Sequence, residues 1–195
     1  MSLGRQAKPL TPAMLNRTLR AASRSRHPLR NRLIVLFSAK AGLRACEIAG
    51  LKWWMVFDAR NRTGAAMAIP DGIAKRGSGR TIPLHAELRR SIQFYRCERG
   101  GIAPDEAIIA SERGGHMSAA SIVNLFAHLY REAGLVGCSS HSGRRTFITA
   151  AARKIVSLGG SLRDVQELAG HRSLEVTERY IVGDRAVQRR LIASL

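Results

Sequence analysis

Apolar positions recur along this chain at two spacings, and the changes of spacing mark its elements. Met14, Leu15 and Leu19 share one side of a stretch whose other side carries arginines, the period of a half-buried helix. Thr11 and Pro12 start it, a capping hydroxyl followed by proline where a missing N–H does no harm. The helix is expected to reach residue 25, and His27-Pro28 breaks the chain after it. Leu33, Ile34, Phe37 and Ala41 then form a second helical stripe, and Gly42 is placed to end it in a left-handed turn. A short helical piece, CEIAGLKW, follows Arg44. Beyond it the period drops toward two. Residues 53–57, 65–69 and 81–84 read as short strands, with turn residues at Pro70, Asp71 and Gly72 and again at Gly77, Ser78 and Gly79.

Helical spacing returns for residues 85–99. Residues 100–117 are irregular around a short apolar piece, AIIA. Ser118 caps a helix with Ile122, Leu125, Phe126 and Leu129 on one face and Gly134 past its end. Another helix begins near Ser142 and is expected to reach residue 157, where Gly159 and Gly160 stop it. Ser161 with Asp164 forms a capping-box start for a short helix bearing Leu162, Val165 and Leu168, which Gly170 ends. Ser173 is placed to cap a helix that carries Tyr180. A last basic helix is expected over 184–193. The pattern predicts a mainly α chain with a small three-stranded antiparallel β-sheet, an α+β class. A length of 195 residues, 45% of them hydrophobic, suits one domain, preceded by a basic arm over residues 1–10.

Charge changes the picture most. Thirty-two Lys and Arg against fourteen Asp and Glu give a net charge of +18. Such an excess repels itself in a compact fold and points to a polyanionic partner, nucleic acid first. Aromatics, at 5%, are too few for a platform that stacks single-stranded bases. Cys46, Cys97 and Cys138 lie far apart without a CxxC pair, which suits a reducing compartment and small buried side chains. No apolar run approaches a membrane span and no signal-peptide core opens the chain, so a soluble, cytoplasmic protein with no membrane partner is expected.

Several polar residues stand where a core does not need them. Arg44 follows a helix-ending glycine and is either a planar fork of donors for phosphate oxygens or a surface charge. Glu47, one turn on, either orients Arg44 or forms a surface pair with it. Lys75 sits at the mouth of a glycine-rich hairpin, as a proton donor or as a solvated charge. His141 and Arg144 are three apart at a helix start, a ready anion site. Arg145 points elsewhere on that helix. His171 lies in a Gly-His-Arg-Ser turn, and Tyr180 follows in a charged context.

Taken together, GLRACEIAGL, AKRGSGRTIPL, HSGRRTF and LAGHRSLEVTERYI resemble the boxes of the tyrosine recombinases, the phage-integrase family. The resemblance covers about residues 10–190 and implies the fold of that family's catalytic domain over 11–195, without a separate N-terminal core-binding domain. It implies double-stranded DNA as partner and a homo-oligomer, a tetramer, on that DNA. It implies site-specific cleavage and rejoining of strands through a 3′-phosphotyrosyl intermediate, with neither metal nor other cofactor.

By the same resemblance Tyr180 is the nucleophile, and Arg44 and Arg144 clamp the non-bridging oxygens. Lys75 protonates the leaving oxygen, His141 assists proton transfer from the tyrosine, and His171 donates a hydrogen bond to the phosphate. Glu47 supports Arg44, and Arg76, Arg80, Arg145 and Arg172 contact DNA. A terminal helix with Val187, Leu191 and Ile192 on one stripe docks on a neighbouring protomer or folds back as a core helix.

Two departures stand out. Residue 143 is Gly where the family carries a bulky apolar side chain, which predicts looser packing under the catalytic helix. The segment 150–162 is also a few residues longer than usual, with the excess expected near 157–160. A non-enzymatic DNA-binding protein on the same scaffold, and a relaxing enzyme like the type IB topoisomerases, are the competing readings.

Overall fold

Thr11 caps the first helix as its hydroxyl suggests, accepting a hydrogen bond from the Met14 N–H at 3.3 Å. In the computed structural model, which describes residues 7–74 and 77–181 together with 189, 192 and 193, that helix is α1 (Pro12–Ser23). It is followed by α2 (Pro28–Ala41), α3 (Ala45–Gly50), β1 (Ala66–Ile69), β2 (Arg80–Pro83), α4 (Ala86–Arg99) and α5 (Ala119–Glu132). Then come α6 (Ser142–Ile155), α7 (Leu162–Ala169) and α8 (Leu174–Glu178). The expected helix over 184–193 lies almost wholly outside the described residues.

The central helix is α2. Every residue from 33 to 39 is buried, because α1, α4 and α6 all pack on it. Gly42 ends it with φ +66°, a conformation that a side chain would strain. Trp53, Phe37 and Phe126 anchor the main core, each at most 1% exposed.

The sheet is smaller than expected. β1 and β2 pair antiparallel, with Met67 opposite Ile82 and Ile69 opposite Arg80. Residues 53–57 do not form the third strand. Trp53–Val56 is a 3₁₀ turn, because the N–H groups of Trp53 and Trp54 go to the carbonyls of Glu106 and Pro104. A single bridge, Phe57 to Thr63, is what remains of that pairing.

Two further expectations fail in informative ways. Gly143 does not loosen the packing. It is buried where α6 crosses α2, and a Cβ there would lie 2.9 Å from Ser38 Cβ and 3.2 Å from the Ser38 carbonyl carbon. A bulky residue is absent because the two helices approach too closely for one. The cysteines are not buried either: Cys46 and Cys97 are exposed and Cys138 is half-buried. Cys97 falls off the Leu88, Ile92 and Tyr95 stripe that α4 turns inward.

The extra residues after α6 form a 3₁₀ turn, Val156–Leu158, closed by Gly159 at φ +79°. Ser161 and Asp164 then make the expected capping box, with the Ser161 N–H on Asp164 Oδ2 at 2.7 Å.

Candidate active site

The site forms where three helix termini meet one strand. Arg44 is the extended residue before α3, placed by the left-handed turn at Gly42. Its backbone N–H donates to Glu47 Oε2 and its Nη1 to Oε1, both at 2.9 Å. The Glu47 side chain is fully buried. It is held from the other side by Arg80, the first residue of β2, whose Nη1 and Nη2 donate to Oε1 and Oε2 at 3.0 and 3.1 Å.

Arg80 thus stands differently from the DNA contact expected of it. Its side chain is only 6% exposed, and its Nε donates to the Leu168 carbonyl at the end of α7 (2.9 Å). The backbone of Gly170 rests on this guanidinium, and a Cβ at Gly170 would come within 2.8 Å of Arg80 Nη1. Glycine at 170 therefore answers both to a φ of +62° and to a close approach.

Arg144, in the first turn of α6, is 3% exposed. Nη1 donates to the Gly42 carbonyl at 2.5 Å and Nη2 to the Ala169 carbonyl at 2.6 Å. Nη2 also lies 2.9 Å from His171 Nε2. The other ring nitrogen of His171, Nδ1, lies 3.0 Å from the hydroxyl of Thr177, which is wholly buried on α8.

Tyr180 follows α8 and is carried back against the same ring. The His171 and Tyr180 centroids are 5.4 Å apart with planes 26° from parallel. Thr149 of α6 donates to the Tyr180 carbonyl at 3.2 Å, and the Arg145 guanidinium sits 5.8 Å above the tyrosine ring.

The remaining candidates are less enclosed. His141 is the exposed residue before α6, with its N–H on Ser139 Oγ at 3.3 Å. Arg172 is exposed immediately after His171. Lys75 and Arg76 lie outside the described residues. A cleft of about 660 Å³ between β2 and α7 opens on Arg80, Gly170 and His171.

Two guanidinium groups, those of Arg44 and Arg80, meet on one carboxylate, and a third, that of Arg144, stands near them on the Gly42 and Ala169 carbonyls. Burial pushes the Glu47 carboxyl up, but the hydrogen bonds and charge of Arg80, then those of Arg44, outweigh it and hold the group below its ordinary value. Burial, then the charge of Arg44, lowers Arg144 to about 10, so it remains a cation at neutral pH. Burial, then Arg144, Arg44 and Arg80, lowers His171 to about 4, so its ring is neutral. The result is a pocket with surplus positive charge beside a tyrosine, which suits a tetrahedral anion with a nucleophile at its edge.

Among the described residues no three His, Cys, Asp or Glu side chains converge as a metal site, and no helix is long and apolar enough to cross a membrane. Sequence reasoning missed Thr177 and the structural place of Arg80. Thr177 carries a local signal, a hydroxyl one turn before Tyr180. Arg80 carries none, since its partner lies 33 residues away.

The sequence model of the phage integrase family matches residues 8–185. The tyrosine recombinase XerC of Pelobacter propionicus is 32% identical over 153 residues, covering 78% of this chain and 47% of that protein. XerC of Myxococcus xanthus is 30% identical over 161 residues, covering 78% and 50%. The chain thus spans about half the length of these curated relatives. Among solved structures, XerA recombinase superposes with a TM-score of 0.74 at 21% identity, covering 100% of this chain and 65% of that one. The Tn1549 transposon integrase in complex with a circular intermediate DNA superposes with a TM-score of 0.77 at 20% identity, covering 100% and 68%. These structures share the fold, and with the family match running across nearly all of the sequence, this chain belongs to the phage integrase family.

Proposed function

We propose that this chain is the catalytic domain, over residues 11–195, of a site-specific DNA recombinase that cleaves and rejoins duplex strands through Tyr180. The observation that carries the reading is a cluster of cations beside Tyr180: Arg44 and Arg80 are both bonded to Glu47, and Arg144 stands near them with, among the described residues, no carboxylate of its own. One carboxylate leaves that cluster positive, and a phosphodiester supplies the missing anion.

The phenolic oxygen of Tyr180 attacks the scissile phosphorus. A phosphorus–oxygen bond forms to the tyrosine, and the bond to the 5′-oxygen breaks. Lys75 gives that oxygen its proton, and His141 takes up the proton that leaves the tyrosine. The 3′-phosphotyrosyl link stores the bond until another 5′-hydroxyl attacks it and reverses the step.

Arg44 meets the non-bridging oxygens first, since its side chain is 18% exposed while Arg80 and Arg144 are enclosed. Arg144 lies behind it and adds fixed positive charge where negative charge grows in the transition state. Glu47 and Arg80 hold Arg44 in place. With cationic side chains at the phosphate, the reaction needs no divalent metal. Arg145, Arg172 and Arg76 add backbone contacts that give affinity without sequence. Strand exchange joins two duplexes, so the working form is a homo-oligomer, a tetramer, on cytoplasmic DNA.

Covalent trapping tests this. The protein is incubated in EDTA with a nicked duplex carrying its cognate site, then denatured in detergent. Protein-linked DNA is expected from the wild type and none from Tyr180→Phe. A cognate duplex that the wild type binds without forming any adduct would overturn the reading in favour of a non-enzymatic DNA-binding protein.

A further inference from the structure

Arg145 follows Arg144 on α6 but faces another way. Arg144 turns into the body, onto the Gly42 and Ala169 carbonyls. One residue further round the helix, Arg145 is half-buried, and its guanidinium carbon lies 5.8 Å from the centroid of the Tyr180 ring. That is within the roughly 6 Å over which a cation and an aromatic ring attract. No acid stands within helical reach of this cation, since the residues three and four away are His141, Ser142, Ile148 and Thr149. Arg163 and Arg179, by contrast, each reach a glutamate four residues off, Glu167 at 3.7 Å and Glu175 at 2.6 Å. Among the described residues the buried Nε of Arg145 has no hydrogen-bond partner. The tyrosine ring is the group that answers its charge.

The contact belongs to a longer grip. Thr149, one turn after Arg145, donates to the Tyr180 carbonyl at 3.2 Å. Ala152, further along the same face, joins the small apolar cluster in which Tyr180 packs. Positions 145, 149 and 152 repeat at helical spacing, so one face of α6 meets the tyrosine at its backbone and at its ring. Before the reaction the attraction is that of a cation for the electrons of the ring. As Tyr180 attacks, its O–H bond breaks while the bond to phosphorus forms, and negative charge passes through the phenolic oxygen. A cation already beside the ring gains from that charge, so it holds the tyrosine more strongly in the transition state than before it.

We infer that Arg145 is a positioning residue for the nucleophile, whose cation holds the Tyr180 ring at the phosphate site and favours the charge that its oxygen takes on. This goes beyond a contact with the DNA backbone, which the outer nitrogens of the same guanidinium still allow. It rests on the reading of Tyr180 as the nucleophile of a strand-cleaving centre.

A residue that only bound the backbone would act on DNA affinity. One that only filled space would act through its carbon stem. Substitution separates the three roles. Arg145→Met keeps the length and the apolar stem and removes the charge. Arg145→Lys keeps the charge and loses the planar fork. Met, Lys and Gln all favour a helix, so α6 is retained in each variant.

The experiment is single-turnover adduct formation by the full chain on a nicked cognate duplex, at DNA concentrations that saturate each variant, with DNA affinity measured separately. Arg145→Met is expected to form the adduct about fivefold more slowly at saturation, the worth of one half-buried cation–ring contact. Arg145→Lys is expected to stay within about twofold of the wild type. Arg145→Gln carries the same expectation as methionine and replaces it if that variant does not fold. A second duplex has sulfur in place of the scissile 5′-oxygen, a leaving group that needs no proton. On it the methionine variant is expected to remain slow, because its defect lies with the attacking oxygen.

A lysine variant as slow as the methionine one overturns the inference, since the charge would then not be what matters. Recovery of the methionine variant on the sulfur duplex overturns it as well, by placing the arginine on the leaving-group side. If the wild type forms no adduct on a cognate duplex that it binds, the recombinase reading fails and this inference with it. A normal wild-type adduct that Arg145→Met forms equally fast at saturation, with only its DNA affinity reduced, sinks this inference alone.

Discussion

The body of the molecule and the segment that bears the site are held by different chemistry. Residues 10–135 share one apolar core that includes Phe37, Trp53 and Phe126. Residues 141–181 have a small cluster in which only Ile148, Val165 and Ala169 are buried, with Phe147, Ile155 and Tyr180 packed around them. That segment is fastened to the body by the close crossing of α6 on α2 and, around the site, by directional contacts. Arg144 reaches the Gly42 carbonyl, Arg80 reaches the Leu168 carbonyl, and the Leu10 N–H donates to Thr146 Oγ1 at 2.7 Å. Apolar burial is indifferent to small shifts, whereas these bonds fix the guanidinium groups in space. In the proposed function these bonds hold the guanidinium groups where a phosphate enters, and the cluster carries buried positive charge that Glu47 compensates only in part.

The sharpest way to break this contrast is to remove the counter-charge. Glu47→Ala leaves Arg44 and Arg80 facing each other in a buried place, and should cost about 3–5 kcal/mol of unfolding free energy. Chemical denaturation measures it. The pH dependence has a definite sign. The folded Glu47 carboxyl ionises below its ordinary value of 4.5, so its contribution is complete above that pH and is lost as pH falls through the lower folded value. The gap between wild type and Glu47→Gln should therefore be present at neutral pH and close only in acid below 4.5. A gap that persists unchanged into strong acid would show that the carboxylate charge does not hold the pair.

Packing between the two regions is the next target. Gly143→Leu drives a side chain into Ser38 and should cost about 3 kcal/mol, with α6 displaced from α2. Gly143→Ala should cost less, since only the Cβ must be accommodated. If leucine there is neutral or stabilising, the expectation of a loosened helix returns.

These residues also show how far the sequence could be read. Arg44 and Glu47 are one turn apart, and their contact follows from local spacing. The capping box at Ser161 and the left-handed stop at Gly42 are equally local. The convergence of Arg44, Arg144, His171 and Tyr180 was legible because the four motifs are each short and ordered, and the resemblance tied them together. What depends on distant neighbours was not legible. Residues 53–57 have strand-like side chains, but their N–H groups are claimed by the loop at 104–106. Gly143 reads as a hole until Ser38 is seen against it. Arg80 reads as one more surface cation in a chain of thirty-two basic residues until Glu47 and Leu168 take its donors.

The smallest effect is the one that sharpens the comparison most. If the site segment holds excess positive charge, a simple anion should stabilise it and leave the body unchanged. Inorganic phosphate at ten times its dissociation constant should add about 1.4 kcal/mol of stability. Hydrogen exchange then locates the gain. Amides of α7, α8 and the first turn of α6 are expected to slow, while those of α2, inside the large core, keep their rates. Arg44→Met should remove the effect, because Arg44 is the more exposed guanidinium of the cluster and the first that an entering anion meets. Protection spread evenly over both regions, or retained in Arg44→Met, would mean that phosphate acts on the general basic surface. The buried trio would then be a structural knot rather than an anion site. Protection confined to the segment and lost with Arg44 ties the smaller apolar cluster of that segment to its function: bonds that a phosphate completes hold it in place of a larger apolar core.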